Sequence, residues 1–457
     1  MATFGKDSKP VEISGNENTN YSVPLALMVS LFFMIGFITV MNDVLIPSLK
    51  GLFELRTWQA MLIQFCFFGA YFLMSIPSGY LIERIGYKKG LAISLSVMGG
   101  GLLLFVPASI IISYPFFLLA LFIVAVGLTI LQVAINPYIV ALGPEETGAS
   151  RLNLGGALNS TATFIGPIIG GAFIFNPDLI DTSEKAAAVR GPYIGLALLT
   201  FGIGVILYFL KLPKIKSEVE KGEKLEGSIL DFGHLISGAG AIFFYVGAEV
   251  AIGSILILYL VEDNLIRASS DILSQFKEES LASSLLSYYW GSAMIGRLIG
   301  SAIGQKVRAE IMLRIVAFLA ILFVGISVTG LFDADFISIK IMVLDFDLDF
   351  PVAFKKIEIP FSILLLILVG LLNSVMWPCI FPLSLAGLGK FTSKGSGILV
   401  TMVVGGAIIP LIQAGLAEKV GYTSSFLVVL LCYLYIFYFS VKGYKNTKIL
   451  ASGEAVQ

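Results

Sequence analysis

The sequence has few charged side chains. Only 13% of its 457 residues are Asp, Glu, Lys or Arg, whereas 57% are hydrophobic. A soluble domain carries roughly 25% charged residues, so this composition indicates a protein that is embedded in a lipid bilayer. The formal net charge is -1, and without a basic excess no nucleic-acid partner is expected.

Cysteine and histidine are also scarce. The three cysteines, Cys66, Cys379 and Cys432, lie in apolar runs, and their spacing fits no metal motif. A lone histidine, His234, cannot build a metal site by itself. Because the chain also lacks a zinc motif and an activated Ser or Asp dyad, the sequence predicts neither an enzyme nor a bound cofactor.

Long apolar runs make up most of the chain. A run of about 20 apolar residues is long enough to cross a bilayer as a helix. The runs predict an all-α membrane protein with twelve transmembrane helices in two pseudo-symmetric six-helix bundles. The predicted spans lie at about 23–47, 60–81, 88–112, 115–141, 153–175, 192–211, 235–261, 281–304, 310–332, 359–383, 396–416 and 423–441.

A polar segment at 212–234, rich in Lys and Glu, predicts a cytoplasmic linker between the two bundles. The first bundle is then 23–211, the second is 235–441, and the tails are 1–22 and 442–457. Lys and Arg are about twice as frequent in the tails, the linker and the loops on their side as in the opposite loops. This bias predicts that both termini are cytoplasmic.

The extracytoplasmic loop at 333–358 differs from the other predicted loops. Apolar and charged residues alternate in it, which is the periodicity of a β-strand. We therefore expect a small β-hairpin that caps the second bundle. Asp345, Asp347 and Asp349 resemble a metal ladder, but the segment has no Gly turn and no closing Glu, so a calcium loop is not predicted.

An aspartate, Asp43, lies within the first predicted span, next to Asn42. A carboxylate inside a bilayer costs about 3 kcal/mol even on lenient insertion scales, and such residues usually serve a proton, a cation or a polar substrate. Asp43 is therefore the first candidate for a transport site. The alternative is that its side chain reaches interfacial water near the outer end of a long span.

The two halves repeat a pattern in which an amide lies five residues before a proline. Gln132 precedes Pro137 in the fourth span, and Asn373 precedes Pro378 in the tenth. Internal repeats of this kind are typical of transporters that bind their substrate near the membrane midplane, between the halves. Asn136 shares a helix face with Gln132. Both could contact a sugar or a cation, or form interhelical hydrogen bonds.

Other residues inside the spans are further candidates for substrate binding. Asn159 could contact a sugar or pack helices together, and Trp377 could offer a flat ring to the apolar face of a sugar. Glu249, the second intramembrane acid, could bind sugar hydroxyls, take part in coupling or pair with a cation. Arg297 is expected to form a structural ion pair or a carbonyl contact. Lower-ranked candidates for the cavity wall are Gln64, Tyr288, Tyr289 and Gln413.

The turn after the second span reads Gly79-Tyr-Leu-Ile-Glu-Arg-Ile-Gly-Tyr-Lys-Lys-Gly90. It resembles the G-x-x-x-D/E-R/K-x-G-R/Y-R/K-R/K loop of the major facilitator superfamily. In that family, glycine permits close helix approach and a tight turn, and the acid–base cluster forms a latch that breaks and re-forms during transport. The resemblance assigns this gating role to Gly79, Glu83, Arg84, Gly86, Lys88 and Lys89.

Several segments narrow the resemblance to the fucose–galactose–glucose symporter family and, within it, to the glucose/galactose transporter subgroup. The resemblance implies inward transport of a neutral monosaccharide by alternating access, driven by a cation gradient, in a bacterial inner membrane. The segments are 42–43, 132–137, 142–145, 150–154, 159–160, 245–254, 290–297 and 405–410.

The coupling ion stays open between H+ and Na+. Fucose–proton members of the family have a glutamate where this chain has Gln132. Asp43 could carry a proton alone, gaining it as the cavity closes and losing it again to water. It could instead supply the charge of a sodium site, with further oxygen ligands from Asn42, Gln132 or Asn136.

A neutral sugar fits the predicted cavity because amides match its hydroxyl groups and aromatic rings match its C–H faces. An anionic substrate would need several Lys or Arg residues within the spans. The alternatives are an uncoupled sugar facilitator, a symporter of fucose or another hexose, a transporter of another small molecule, and a sugar sensor. The protein is expected to act as a monomer in the bilayer.

Overall fold

A computed structural model describes residues 21–142, 148–175, 181–210, 229–303, 307–345, 351–388 and 391–445 of the chain. Eleven helices in these ranges are long and apolar enough to cross a membrane. The remaining predicted span corresponds to Glu278–Ile303, which has 26 residues but begins with two glutamates and is less apolar. The predicted twelve-helix architecture is therefore confirmed. Most of the predicted linker and of the two tails lies outside the described residues.

The first half of the chain forms six membrane crossings. Its helices within the described ranges are α1 (Ser22–Leu52), α2 (Thr57–Ala60), α3 (Leu62–Ile85), α4 (Tyr87–Leu103), α5 (Phe105–Ile111), α6 (Tyr114–Ala141), α7 (Gly148–Ile174), α8 (Thr182–Ala188) and α9 (Arg190–Phe209). Three crossings each consist of two consecutive helices, because α2 continues into α3, α4 into α5 and α8 into α9.

The second half forms six more crossings. Its helices within the described ranges are α10 (Gly233–Glu262), α11 (Ser270–Gln275), α12 (Glu278–Ile303), α13 (Ala309–Val328), α14 (Phe361–Asn373), α15 (Met376–Leu385), α16 (Thr392–Thr401), α17 (Gly405–Val420), α18 (Tyr422–Ser425) and α19 (Leu427–Tyr438). Here α14 continues into α15, α16 into α17 and α18 into α19, whereas the short α11 crosses nothing.

Two β-strands follow α13 and form the hairpin that the alternating pattern predicts. β1 (Phe336–Leu344) pairs antiparallel with β2 (Val352–Pro360), and Ile339 lies opposite Ile357. The Ile357 and Ile359 side chains of β2 are buried, and the charged side chain of Glu358 lies between them in the sequence. The expected hairpin is therefore confirmed.

Asp345, the first of the three alternating aspartates at 345–349, forms contacts both within the hairpin and to α11. Asp345 pairs with Lys355 Nζ at 3.2 Å and accepts a hydrogen bond from Gln275 Nε2 at 3.0 Å. Asp347 and Asp349 lie outside the described residues. Where the chain is described, no group of His, Cys, Asp and Glu residues is arranged to bind a metal.

The position of the hairpin distinguishes the two faces of the molecule. The hairpin face carries β1 and β2, and α1 and α10 end there at Leu52 and Glu262. The terminal face lies opposite, where α1 begins at Ser22 and the described part of the chain ends at Lys445. An even number of crossings places both ends of the described part of the chain on the same face.

Glycine allows close approach where helices cross. A Cβ at Gly170 of α7 would lie 2.8 Å from Met41 Sδ of α1. A Cβ at Gly405 of α17 would overlap the backbone carbonyl of Phe243 in α10. Helices in a bilayer gain little from apolar burial against each other, so van der Waals packing at such small residues contributes much of their association.

Polar side chains join the two halves at the hairpin face. Lys50 of α1 forms an ion pair with Glu262 of α10. Tyr422 OH of α18 donates to Glu262 Oε2 at 2.8 Å and lies 3.2 Å from Thr57 Oγ1 of α2. Because Lys50 and Thr57 belong to the first half and their partners to the second, these contacts close the hairpin face.

Candidate transport site

Asp43 lies deep in the protein, between the two halves. It is on α1, about 14 Å along the helix axis from the end at Leu52. Its side chain is almost completely buried, with 4% exposed. The carboxylate therefore does not reach interfacial water, which was the alternative considered from its place in the span.

Three side chains form a closed triangle of hydrogen bonds at this carboxylate. Gln64 Nε2 of α3 donates to Asp43 Oδ1 at 2.8 Å, and Ser254 Oγ of α10 donates to the same oxygen at 3.0 Å. Gln64 Nε2 also donates to Ser254 Oγ at 2.8 Å. Since α1 and α3 belong to the first half and α10 to the second, the triangle connects the halves inside the membrane region.

Two further residues of the second half lie against Asp43. A Cβ on Gly253 would be 3.4 Å from Asp43 Oδ2 and 3.2 Å from the Trp290 ring, so a larger residue would crowd the carboxylate. The Trp290 indole also lies beside the Asp43 carboxylate and interacts with it.

Two buried polar atoms near Asp43 lack a partner where the chain is described. They are Oε1 of Gln64, which contacts the carboxylate through its Nε2, and Nδ2 of Asn42, the residue before Asp43. A buried polar atom without a partner costs about 1–3 kcal/mol. Such an atom requires an explanation, and an unseen water or ion is a common one. The site therefore offers both a negative charge and free polar atoms to a ligand.

Gln132 and Asn136 are not brought into contact with Asp43. Gln132 Nε2 donates to Tyr71 OH at 3.1 Å. Tyr71 follows Gln64 on α3 by two helical turns, about 10 Å nearer the terminal face. Asn136 lies one turn further and is exposed. In this conformation neither amide is placed to share a cation with Asp43, and their predicted contact with a sugar stays a prediction.

Asn159 connects two helices of the first half. Its Nδ2 donates to the backbone oxygen of Phe32 in α1 at 3.1 Å. The two backbones are close at this point, because a Cβ at Gly36 would overlap the Asn159 carbonyl. Helix packing therefore accounts for the Asn159 amide in this structure, and its role in substrate binding stays a prediction.

Asn373 lies at the centre of a buried network in the second half. Its Nδ2 donates to Tyr289 OH at 3.0 Å, and its Oδ1 accepts from Tyr433 OH at 2.8 Å. Tyr289 OH in turn donates to the backbone oxygen of Glu249 at 3.0 Å. Asn373 thus positions two tyrosines, and its predicted contact with a sugar stays a prediction.

Glu249 and Arg297 interact electrostatically within the transmembrane region. Arg297 Nη1 donates a hydrogen bond to Ser160 Oγ of α7, so it also joins the two halves. Glu249 Oε1 is buried and has no hydrogen-bond partner among the described residues. None of the direct ion pairs of the described residues joins Arg297 to Glu249, and one carboxylate oxygen of Glu249 stays available to a ligand.

Trp377 lies beside the same network. Its ring stacks on Phe381, with centroids 5.5 Å apart and an interplanar angle of 18°. The Tyr245 ring is tilted against it at 6.4 Å. One face of the indole is thus packed against protein, and the side chain is half-buried. We refer to Tyr245, Glu249, Tyr289, Asn373 and Trp377 as the polar–aromatic cluster.

The turn between α3 and α4 contains the predicted gating motif. Gly86 has a φ of 80°, a left-handed conformation that glycine adopts at little cost, and it makes the tight turn. Lys88 Nζ donates to the backbone oxygens of Tyr208 at 3.1 Å and Leu210 at 2.9 Å, at the end of α9. A cation is favourable at a helix C-terminus, so Lys88 ties the turn to the last crossing of the first half.

The other residues of the motif make fewer contacts. Glu83, Arg84 and Lys89 are exposed and take part in no ion pair among the described residues. A Cβ at Gly79 would meet nothing within 4 Å. The close helix approach expected at Gly79 is therefore absent from this conformation, and the latch role of the charged residues stays a prediction.

Sequence reasoning did not assign a role to Ser254 or Trp290, and it ranked Gln64 low. Ser254 and Trp290 lie in segments that carry the family resemblance, at 245–254 and 290–297. The resemblance therefore pointed to these segments, although not to these two residues. No local pattern pairs Ser254 with Asp43, however, because 211 positions separate them along the chain.

Twelve crossings in two halves, with a buried carboxylate and a polar–aromatic cluster at the membrane interior, define a transporter. The Major Facilitator Superfamily family model matches residues 28–354. The chain belongs to this superfamily, as its gating motif indicates. Its members are transporters, which agrees with the expectation that the protein is not an enzyme.

Similar proteins confirm the narrower resemblance. A protein of Brucella abortus named glucose/galactose transporter is 41% identical over 450 residues, covering 98% of this chain and 100% of the relative. An L-fucose-proton symporter of Escherichia coli is 27% identical over 456 residues, covering 94% of this chain and 95% of the relative. The crystal structure of an E. coli fucose:proton symporter variant aligns with a TM-score of 0.64 at 26% identity, covering 92% of this chain and 98% of that one.

Proposed function

We propose that the chain is a cation-coupled symporter that imports a neutral monosaccharide, with glucose and galactose as the expected substrates. The observation that carries the proposal is the buried carboxylate of Asp43, which accepts a hydrogen bond from Ser254 of the opposite half. When the halves move apart, the Asp43 carboxylate loses its contact with the opposite half. Binding of a cation at Asp43 would therefore be linked to the opening and closing of the transporter.

The chemistry of the polar–aromatic cluster supports a neutral sugar as the substrate. Glu249 offers a free buried oxygen, and Trp377 and Tyr245 offer apolar ring surface. Arg297 is engaged by Glu249 and Ser160. An anionic substrate would need further cations here. The names of the 41% identical relatives support glucose and galactose as the first substrates to test.

The direction of transport follows from the proposed orientation. The Lys and Arg bias of the loops favours cytoplasmic termini, which places the hairpin face outside the cell. The contacts between Lys50 and Glu262 and between Thr57 and Tyr422 then close the outer entrance in the present structure. We propose that the protein acts as a monomer in a bacterial inner membrane, with Na+ or H+ as the coupling ion and no other cofactor.

A symporter of fucose or another hexose is the second candidate. It is favoured by the 27% identity to an L-fucose-proton symporter over nearly the whole length of both chains. An uncoupled facilitator would be expected to tolerate the loss of the Asp43 charge.

Uptake into proteoliposomes tests these functions. Radiolabelled glucose, galactose and fucose are offered under an imposed sodium gradient, an imposed proton gradient or neither, to wild-type protein and to Asp43→Asn. We expect gradient-driven uptake of glucose or galactose in wild type and its loss in Asp43→Asn. Asp271→Asn, at an exposed carboxylate of α11, is the matched control and should transport normally.

The outcomes separate the candidates. Uptake of fucose alone would support the second candidate. Equal uptake with and without gradients, unchanged in Asp43→Asn, would exclude coupling through Asp43 and leave a facilitator.

A further inference from the structure

We propose that Asp43, Gln64 and Ser254 together bind the coupling ion, as a sodium site that is shared between the two halves. This inference rests on the proposed function, because it names the place and the ligands of the coupling cation. It replaces the ligand set expected from the sequence, in which amides of α1 and α6 would complete the site.

The three side chains meet at one point. Asp43 Oδ1 and Ser254 Oγ lie 3.0 Å apart, and Gln64 Nε2 lies 2.8 Å from each of them. Hard cations bind carboxylate, amide and hydroxyl oxygens. These are the three kinds of oxygen that Asp43, Gln64 and Ser254 carry. The site therefore has the donor chemistry of a hard-cation site in a volume small enough for one ion.

The orientation of the Gln64 amide determines whether an ion can enter. In the present structure the NH2 group bridges the other two oxygens through its hydrogens, since it donates to both Asp43 Oδ1 and Ser254 Oγ. Gln64 Oε1 is buried and has no hydrogen-bond partner among the described residues. Rotation about the last side-chain bond, which is soft and nearly two-fold, exchanges Nε2 and Oε1 without moving α3. Three oxygens then face one point.

The charge of the site suits a monovalent cation. Asp43 contributes one negative charge, and the amide and the hydroxyl are neutral. A proton on Asp43 would be donated to only one neighbouring oxygen, whereas a cation can be shared by the oxygens of all three side chains. Gln64 and Ser254 are 2% and 0% exposed, so bulk water does not compete for the cation in this conformation.

Division of the site between halves links the ion to the transport cycle. Opening of the hairpin face would withdraw Ser254 from Asp43, so an ion that enters from that side gains its last side-chain ligand as the face closes. When no ion is bound, the Gln64 amide supplies donors to the carboxylate instead. The ion-free protein can then close as well.

Sodium titration of sugar uptake tests the site. Gln64→Leu and Ser254→Ala each remove one neutral oxygen and keep Asp43. We expect the sodium concentration for half-maximal uptake to rise roughly tenfold or more in each, which is the size of effect associated with interactions of a charged group. Sugar affinity, measured by counterflow at saturating sodium, should stay within about twofold of wild type.

Two conservative variants separate an ion ligand from a group that only holds Asp43 in place. Gln64→Asn keeps the amide on a shorter side chain, and Ser254→Thr retains the hydroxyl. If Gln64 and Ser254 are ligands, Gln64→Leu and Ser254→Ala should change the ratio of half-saturating sodium to half-saturating lithium, and Ser254→Thr should return that ratio toward wild type. If the two residues only hold Asp43 in place, half-saturation by sodium and by lithium rises by the same factor in each variant, and the inference is overturned.

The chain provides a matched control pair of the same residue types. Gln413 Nε2 of α17 donates to Ser425 Oγ at 3.3 Å, and both side chains are completely buried. Gln413 Oε1 also lacks a partner among the described residues, but neither residue is hydrogen-bonded to a carboxylate there. Gln413→Leu and Ser425→Ala should therefore leave the sodium dependence unchanged.

Failure of the inference can be distinguished from failure of the proposed function. Sodium-driven wild-type uptake with unchanged half-saturation in Gln64→Leu and Ser254→Ala would overturn the site alone. Uptake driven only by protons would overturn sodium coupling and the site but leave sugar symport. If none of the sugars is transported, the proposed function fails, and the site is tested by sodium-dependent fluorescence of Trp290 with Trp58 and Trp377 replaced by Phe. If sodium then leaves the fluorescence of Trp290 unchanged, the inference is overturned as well.

Discussion

Lys50 of α1 and Glu262 of α10 form an ion pair across the two halves at the hairpin face. The same two helices carry the deeper contact between Asp43 and Ser254. Lys50 lies about two helical turns above Asp43, and Glu262 about two turns above Ser254. Separation of α1 from α10 must break both contacts, so the outer ion pair and the candidate ion site open together.

Loss of the outer ion pair should increase opening of the hairpin face. The Lys50 and Glu262 side chains are 16% and 38% exposed, and such pairs contribute about 0.2–1 kcal/mol. Glu262→Gln should therefore raise the open population roughly 1.4- to 5-fold. Leu258 lines the pocket beside the pair and is only 3% exposed. The labelling rate of Leu258→Cys by a membrane-impermeant maleimide should rise by the same factor.

This labelling experiment requires a chain whose native cysteines have been replaced. Combining Lys50→Glu with Glu262→Lys restores opposite charges and should return the rate toward wild type. Leu273→Cys on α11, where the native side chain is 41% exposed, should react equally in every background. A Leu258→Cys rate that is independent of both charges would show that the ion pair does not hold the face closed.

Gly405 is expected to be indispensable for packing α17 against α10. A Cβ there would overlap the Phe243 carbonyl, which is backbone and cannot rotate away. Gly405→Ala should cost about 1–3 kcal/mol, the usual range for overpacking. Gly415 lies on the same helix, and a Cβ there would meet nothing within 4 Å. Gly415→Ala should leave the thermal unfolding temperature in detergent unchanged or raised, because alanine favours helix by about 1 kcal/mol. Equal melting of both variants would contradict the packing argument.

Asn373→Leu should lower stability because it deprives Tyr433 OH of its acceptor inside the protein. A buried polar group without a partner costs about 1–3 kcal/mol. Adding Tyr433→Phe to Asn373→Leu should recover part of the loss, since that hydroxyl is then absent. Thermal unfolding measures the stabilities, and counterflow measures sugar affinity. If sugar affinity falls in Asn373→Leu but not in Tyr433→Phe alone, the predicted contact between Asn373 and the sugar is supported.

The membrane architecture was predictable because it depends on local patterns. Bilayer thickness sets the length of an apolar helix, so the runs of about 20 residues located the crossings. Alternation of apolar and charged residues located β1 and β2 in the same way. Asp43 was identifiable because a carboxylate inside an apolar run is costly.

The partners of Asp43 were not predictable from such patterns. Gln64 is one of several amides in the spans, and Ser254 is a serine in an apolar helix. Their contact depends on the packing of helices 190 positions apart in the chain. Gln132 was one of three residues considered as an oxygen ligand in a sodium site at Asp43. In this conformation Gln132 donates instead to Tyr71, nearer the terminal face.

Arg297 and Glu249 should behave as a coupled pair. Arg297→Met leaves the Glu249 carboxylate without its nearby cation, and an uncompensated charge in the membrane interior is strongly unfavourable. Glu249→Gln removes that charge. Thermal unfolding of the two single variants and the double variant should give a coupling energy of about 0.5–3 kcal/mol, with the double variant more stable than Arg297→Met alone.

Ser160→Ala is the control for this cycle. It removes the hydrogen bond that Arg297 makes to the first half and the one that Ser160 Oγ donates to the Gly156 backbone oxygen at 2.9 Å, and it changes no charge. Its effect on stability should therefore be the same with Glu249 and with Glu249→Gln. Additive losses in the Arg297→Met and Glu249→Gln cycle would mean that the two charges act independently. Arg297 would then serve mainly to join α12 to α7, and the free oxygen of Glu249 would need another cation or a proton to balance its charge during sugar binding.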